Sequence, residues 1–163
     1  MILIRKNEYL TKICRHLKID LGAYFLLIIS QIILSLPIMF FNNKSTNLSD
    51  KTNHYIDNYW LLIIALLISP IIEEKLFREY LWKKVLMKHI KNIYISALLS
   101  SMLFSLAHLS LNFLPFVGNG LVFCWVYHKT NSIINNMFLH FIYNTSLITL
   151  ALFLMHWGGT YEC

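Results

Sequence analysis

The chain has 163 residues, of which 57% are hydrophobic and 13% charged, against about 45–50% and about 25% in soluble domains. That apolar excess excludes a soluble globular domain and points to a multi-span membrane protein of one domain covering residues 1–163. The net charge of +6 does not indicate nucleic acid as a partner: the lysines and arginines stand beside apolar runs, as anchors to an anionic inner leaflet do.

Residues 1–18 carry Arg5, Lys6, Lys12, Arg15 and Lys18 among apolar positions at helical spacing, which predicts an amphipathic surface helix on the cytoplasmic leaflet. A first span covers Leu21 to Phe41, longer than a signal-peptide core and without a small-residue cleavage pattern after it, so it is expected to be retained. Asn42 to Asn58 is a polar loop that contains the sequon Asn47-Leu48-Ser49. The second span, Tyr59 to Tyr80, contains Pro70, which is expected to open the helix ladder and kink it. Aromatic pairs Tyr59/Trp60 and Tyr80/Trp82 would mark its two interfaces. A basic connector, Lys83 to Lys91, closes it. Spans near Ile93 to His108, Phe113 to Tyr127 and Ile133 to Trp157 complete an all-α polytopic bundle of about five transmembrane helices. Lys and Arg number five before residue 21, two in 42–58, six in 73–92 and one at Lys129. By the positive-inside rule this places the N-terminus and Lys83 to Lys91 in the cytoplasm, and Asn42 to Asn58 and the C-terminus outside. Cys14, Cys124 and Cys163 form neither a metal-ligand spacing nor a disulfide framework.

The second span carries charge where lipid should be. Glu73 would lie about 21 Å from the Tyr59 end, inside the hydrocarbon layer, and an ionisable group at that depth marks a functional site. Glu74 and Arg78 are spaced to pair within the helix, and that pair alone is also compatible with a purely structural role. Glu73, about 100° around the helix, is left to face a cavity. His108, four residues after Phe104, and His140, four before Asn144, add further polar groups inside apolar helices. Buried polar groups in lipid must find one another, around water or a metal. Convergence of Glu73, His108, His140 and Asn144 on one cavity is therefore expected, with separations of roughly 3–7 Å. Counted from Ile93, His108 falls about 22 Å deep, out of level with Glu73 and His140, which predicts that the third span starts nearer Leu98. Phe104 is expected to pack beside His108 and to take no part in chemistry. The remaining histidines, His16, His54, His89, His128 and His156, lie in loops or near span ends.

Pro70-Ile-Ile-Glu73-Glu74-x-x-x-Arg78, Phe104-x-x-x-His108 and His140-x-x-x-Asn144, together with Ser100-Ser101 and Lys129-Thr130-x-Ser132-Ile133, resemble the motifs of the CAAX-processing and bacteriocin-processing intramembrane proteases. The likeness covers a protease-like core at residues 69–147. It departs at Glu79 and Asn131, where the family usually has glycine. The signatures of other intramembrane proteases, H-E-x-x-H, G-x-G-D and G-x-S-G, are absent from the sequence. The resemblance implies an endopeptidase acting on a lipidated or bacteriocin-like peptide. In it Glu73, assisted by His108, activates water, Asn144 and His140 stabilise the oxyanion, and Glu74 and Arg78 hold Glu73 in place. No cofactor is favoured. A zinc ion on Glu73, His108 and His140 is the metal-dependent alternative, and non-enzymatic bacteriocin self-immunity or peptide binding is the functional one. Membrane lipid and a peptide or protein substrate are the implied partners. Abundant Ile, Asn and Lys further suggest an AT-rich genome and a bacterial cell membrane.

Overall fold

The computed structural model describes residues 2–41, 58–109 and 113–158. The sequon, most of the 42–58 loop and Cys163 lie outside the described residues. Among the described residues five helices run alternately up and down: α1 (Ile2–Phe41), α2 (residues 59–89), α3 (Ile93–Ala107), α4 (Phe113–Thr130) and α5 (Ile133–Gly158). The basic N-terminal segment is helical but continues without a break into the first apolar span, so it is one helix with that span and not a separate surface helix. Among the described residues two stretches, Leu10–Pro37 and Ile133–Leu154, are long and apolar enough to cross a membrane by length and composition.

The bundle buries charged and polar groups among its apolar core residues and is apolar outside. Glu74, Arg78, Asn119, Asn136 and His140 are buried, while Leu, Ile and Phe side chains cover the surface from Leu10 to Trp157. Water as solvent would penalise that exposed apolar area and lipid does not, so the fold belongs in a bilayer. Small residues let the helices approach. Ser96, Ser100, Ser101 and Ser105 form a buried stripe on α3, and Gly120 of α4 lies so close to Ser101 that an added Cβ would stand 2.9 Å from its Cα.

α2 alternates ordinary α-turns with two stretches of wider, i→i+5 turns, Ile64–Ile68 and Glu74–Leu86. The first has a cause in sequence. Pro70 has no N–H to give the carbonyl four residues back, and the preceding turn opens so that the Ser69 N–H bonds to the Ile64 carbonyl. In the second, side chains five apart come together, as Glu79 and Lys84 do at 3.1 Å.

Two expectations about this region are corrected. The Lys83 to Lys91 stretch is not a connector, since α2 stays helical through Met87–His89 and only residues 90–92 turn. The third span starts at Ile93, not near Leu98, because the Asn92 side chain caps it by accepting from the N–H groups of Tyr94 (2.9 Å) and Ile95 (3.2 Å). The level mismatch of His108 disappears for the same reason. α2 and α3 form an antiparallel hairpin in which Trp82 donates to Ser96 (3.1 Å), Ser100 donates to the Phe77 carbonyl (2.8 Å), and the Phe77 and Phe104 rings meet edge to face at 5.3 Å. Glu73 and His108 are nearly equally far along the chain from the 90–92 turn, so they share a level. Trp82 is consequently a buried hairpin residue, not an interface anchor, whereas Tyr59, Trp60 and Tyr80 are exposed. Asn131 holds φ 51°, the left-handed conformation for which glycine is the default and asparagine the tolerated substitute.

Candidate active site

Glu73 and Glu74 leave α2 on different faces and enter different environments. Glu74 is fully buried. Its Oε1 accepts from His140 Nδ1 (2.9 Å), its Oε2 accepts from Asn136 Nδ2 (2.9 Å), and Arg78 Nε stands 3.4 Å from Oε2. The Arg78 guanidinium makes no hydrogen bond among the described residues. It lies between two aromatic faces, 4.1 Å from the Phe104 centroid and 5.2 Å from that of Phe123, so ring quadrupoles together with the Glu74 charge hold it. Phe104 therefore packs, as expected, but against arginine as well as His108.

Glu73 is 19% exposed and lines a cavity of about 340 Å³. Ser69, one turn earlier, donates to its Oε1. Its Oε2 has no hydrogen-bond partner among the described residues and lies 3.9 Å from His108 Nε2 and 3.8 Å from His140 Nε2. These separations exceed a hydrogen bond and fall within the reach of one bridging water. The ring orientations follow from the far nitrogens. The Phe104 carbonyl can only accept, so His108 Nδ1 donates to it (2.9 Å), and the Glu74 carboxylate likewise accepts from His140 Nδ1. Both imidazoles thus turn Nε2 toward Glu73. Aromatic stacking keeps them there, His108 against Phe116 (4.2 Å) and His140 against Phe123 (4.6 Å).

The expected convergence is met by Glu73, His108 and His140 at these distances. Asn144 lines the same cavity, its Nδ2 3.5 Å from the Ala65 carbonyl. One connection runs differently from expectation: the Glu74–Arg78 pair reaches the site through His140, and Glu73 is held by Ser69. Sequence reasoning passed over Asn136, which also donates to the Phe123 carbonyl (2.9 Å) and ties α5 to α4. Its signal was present, since Asn136, His140 and Asn144 recur every four residues on one face of α5. It also passed over Gln31, Asn119 and Tyr143, which line the cavity. Among the described residues no group of three or more His, Cys, Asp or Glu side chains is arranged to hold a metal ion; Glu73, His108 and His140, whose Nε2 atoms face the carboxylate, are the residues a zinc ion would use.

A lipid-embedded bundle that keeps a carboxylate and two ring nitrogens around one internal cavity defines a class, the integral membrane proteins with a polar reaction chamber. Residues 55–146 match the type II CAAX prenyl endopeptidase Rce1-like family. The match takes in more than half of the chain, and the protein belongs to that family. It is accordingly a membrane protease, with a peptide or protein as its substrate. No curated protein and no solved structure matches the chain.

Proposed function

We propose that the protein is an intramembrane endopeptidase in which Glu73 activates a water molecule without a metal ion. The observation that carries this reading is the approach of two Nε2 atoms to the one unpartnered oxygen of Glu73. With both Nδ1 hydrogens committed elsewhere, the Glu73 oxygen and two neutral Nε2 atoms would be three acceptors facing one another. A water can donate to two of them, and a proton on the third makes it a donor. Glu73 and His108 then take the water's hydrogens, and His140 is the donor.

The hydroxyl oxygen adds to the scissile carbonyl carbon while the water's proton passes to Glu73, assisted by His108. The oxyanion that develops on the carbonyl receives hydrogen bonds from His140 Nε2 and Asn144 Nδ2. Collapse of the tetrahedral intermediate breaks the C–N bond, and the proton held by Glu73 goes to the leaving amine. Glu74, Arg78 and Asn136 orient His140 throughout. The substrate is a membrane-associated peptide, lipidated or bacteriocin-like, and bacteriocin self-immunity is one setting for that chemistry. The basic end of the α2–α3 hairpin and the N-terminus face the cytoplasm of a bacterial cell.

Purified protein in detergent should cleave a labelled prenylated peptide ending in a CAAX sequence at the same rate with and without a chelator. Activity lost to the chelator and restored by zinc would overturn the metal-free mechanism. Binding of the peptide with no cleavage under any condition would favour the peptide-binding alternative.

A further inference from the structure

The cavity has a second polar wall, to which a helix outside the family match contributes. Gln31 is on α1, in the middle of an apolar span, and its side chain lines the cavity with Glu73. Its Oε1 accepts two hydrogen bonds, from Tyr143 Oη (3.2 Å) and from Asn119 Nδ2 (3.5 Å). Asn119 in turn donates to Tyr143 Oη (3.2 Å), and its Oδ1 lies 3.1 Å from the Ser30 hydroxyl. Asn119 and Tyr143 are buried, and the Gln31 oxygen faces them. Its Nε2, with two hydrogens, has no hydrogen-bond partner among the described residues. A polar residue that only glues helices together in lipid spends both ends of its amide on neighbouring helices. Gln31 spends its acceptor on them and keeps its donor for the cavity.

We propose that Gln31 is a substrate-binding residue, its amide nitrogen donating to a backbone carbonyl of the peptide that occupies the Glu73 cavity. The ligand class follows from the donor. An uncharged N–H pair on the wall of this cavity suits a neutral carbonyl, and an extended peptide offers one at every residue. This rests on the peptidase reading of the cavity and adds a contact from α1 that acts on substrate affinity and not on the bond-breaking step.

Substitution can separate the two ends of the amide. Gln31→Glu keeps an oxygen for Tyr143 and Asn119 and exchanges the donor for an acceptor, and Gln31→Met removes both at similar length. Affinity is measured in the Glu73→Gln background by fluorescence anisotropy, with a labelled prenylated CAAX peptide in detergent micelles. Gln31→Glu is expected to weaken binding about 5- to 10-fold or more, with an unchanged thermal melt. In the otherwise wild-type protein it should raise KM by a similar factor and leave kcat alone, the signature of binding shared by ground and transition states. Gln31→Met should weaken the peptide as well, even where its melt falls. Equal affinity in Gln31→Glu and its parent overturns the proposal, as does a loss in Gln31→Met alone. Wild-type protein that binds the peptide with the same Gln31 dependence but never cleaves it would remove the protease mechanism and leave this contact standing.

Discussion

Glu73 and Glu74 are neighbours of the same chemistry, and the environments of their carboxylates differ in whether both oxygens have a hydrogen-bond partner. Around Glu74 both carboxylate oxygens are bonded and the countercharge of Arg78 lies beside them, with no exposure to solvent. Around Glu73 one oxygen is tied to Ser69 and the other is left facing two ring nitrogens across a cavity. A saturated carboxylate fixes geometry and cannot easily take up a proton, while an unsaturated one can. The first region is a frame, and the second is where a proton can move. His140 belongs to both, with Nδ1 in the frame and Nε2 in the cavity, and so transmits the rigidity of one to the other.

The comparison is broken most directly at its reactive side. Glu73→Gln should lower the rate of peptide cleavage about 10²- to 10⁴-fold, the range of a general base, with an unchanged melting temperature in detergent. Turnover near the wild-type rate would show that the open carboxylate is not the base.

On the frame side the order of effects reverses. Glu74→Ala strands Arg78 and His140 in the interior and should cost about 3–5 kcal/mol of stability, read as a large drop in the detergent melt, with activity lost as a consequence. An unchanged melt would mean that Arg78 finds its support elsewhere.

Asn136→Ala sharpens the distinction, because it removes one partner of Glu74 without removing a charge. A loss of about 1–3 kcal/mol is expected, together with a smaller fall in kcat than Glu73→Gln produces. If its kcat fell as far as that of the Glu73 variant at full stability, Asn136 would belong to the chemistry and not to the frame.

The smallest effect belongs to the pair outside both regions. Glu79 and Lys84 meet at 3.1 Å with side chains 33% and 60% exposed, and Glu79→Ala should change stability by less than about 1 kcal/mol. A larger shift in the melt would mean that the wide turns of α2 depend on this contact.

Much of the site was legible in the residues themselves. Glu73, Glu74, Arg78, His108, His140 and Asn144 stand out because charge and imidazole are expensive inside apolar helices, and spacing by four reveals a shared face. Pro70 announced the opened turn before it. Where sequence reasoning failed, it failed over registration. Treating Trp82 as an interface anchor cut α2 short, placed Glu73 too near the membrane face and so shifted the expected start of the third span to Leu98, although the Trp82 side chain bonds to Ser96 inside the hairpin. An aromatic residue at the end of an apolar run has the same local pattern whether it meets headgroups or a neighbouring helix.

The sequence by itself therefore determined the solvent of this protein, its helices and most of the polar groups that meet at the cavity, since hydropathy and helical periodicity are local properties. Only the tertiary structure decided which groups touch. That Glu74 supports His140 and not Glu73, that both Nε2 atoms face Glu73, that Asn136 completes the frame, and that α1 contributes Gln31 to the cavity all depend on the rotation and level of helices far apart along the chain. Those are set by packing, by serine and glycine letting α3 and α4 meet, and by the requirement that polar groups in lipid find partners wherever the bundle brings them.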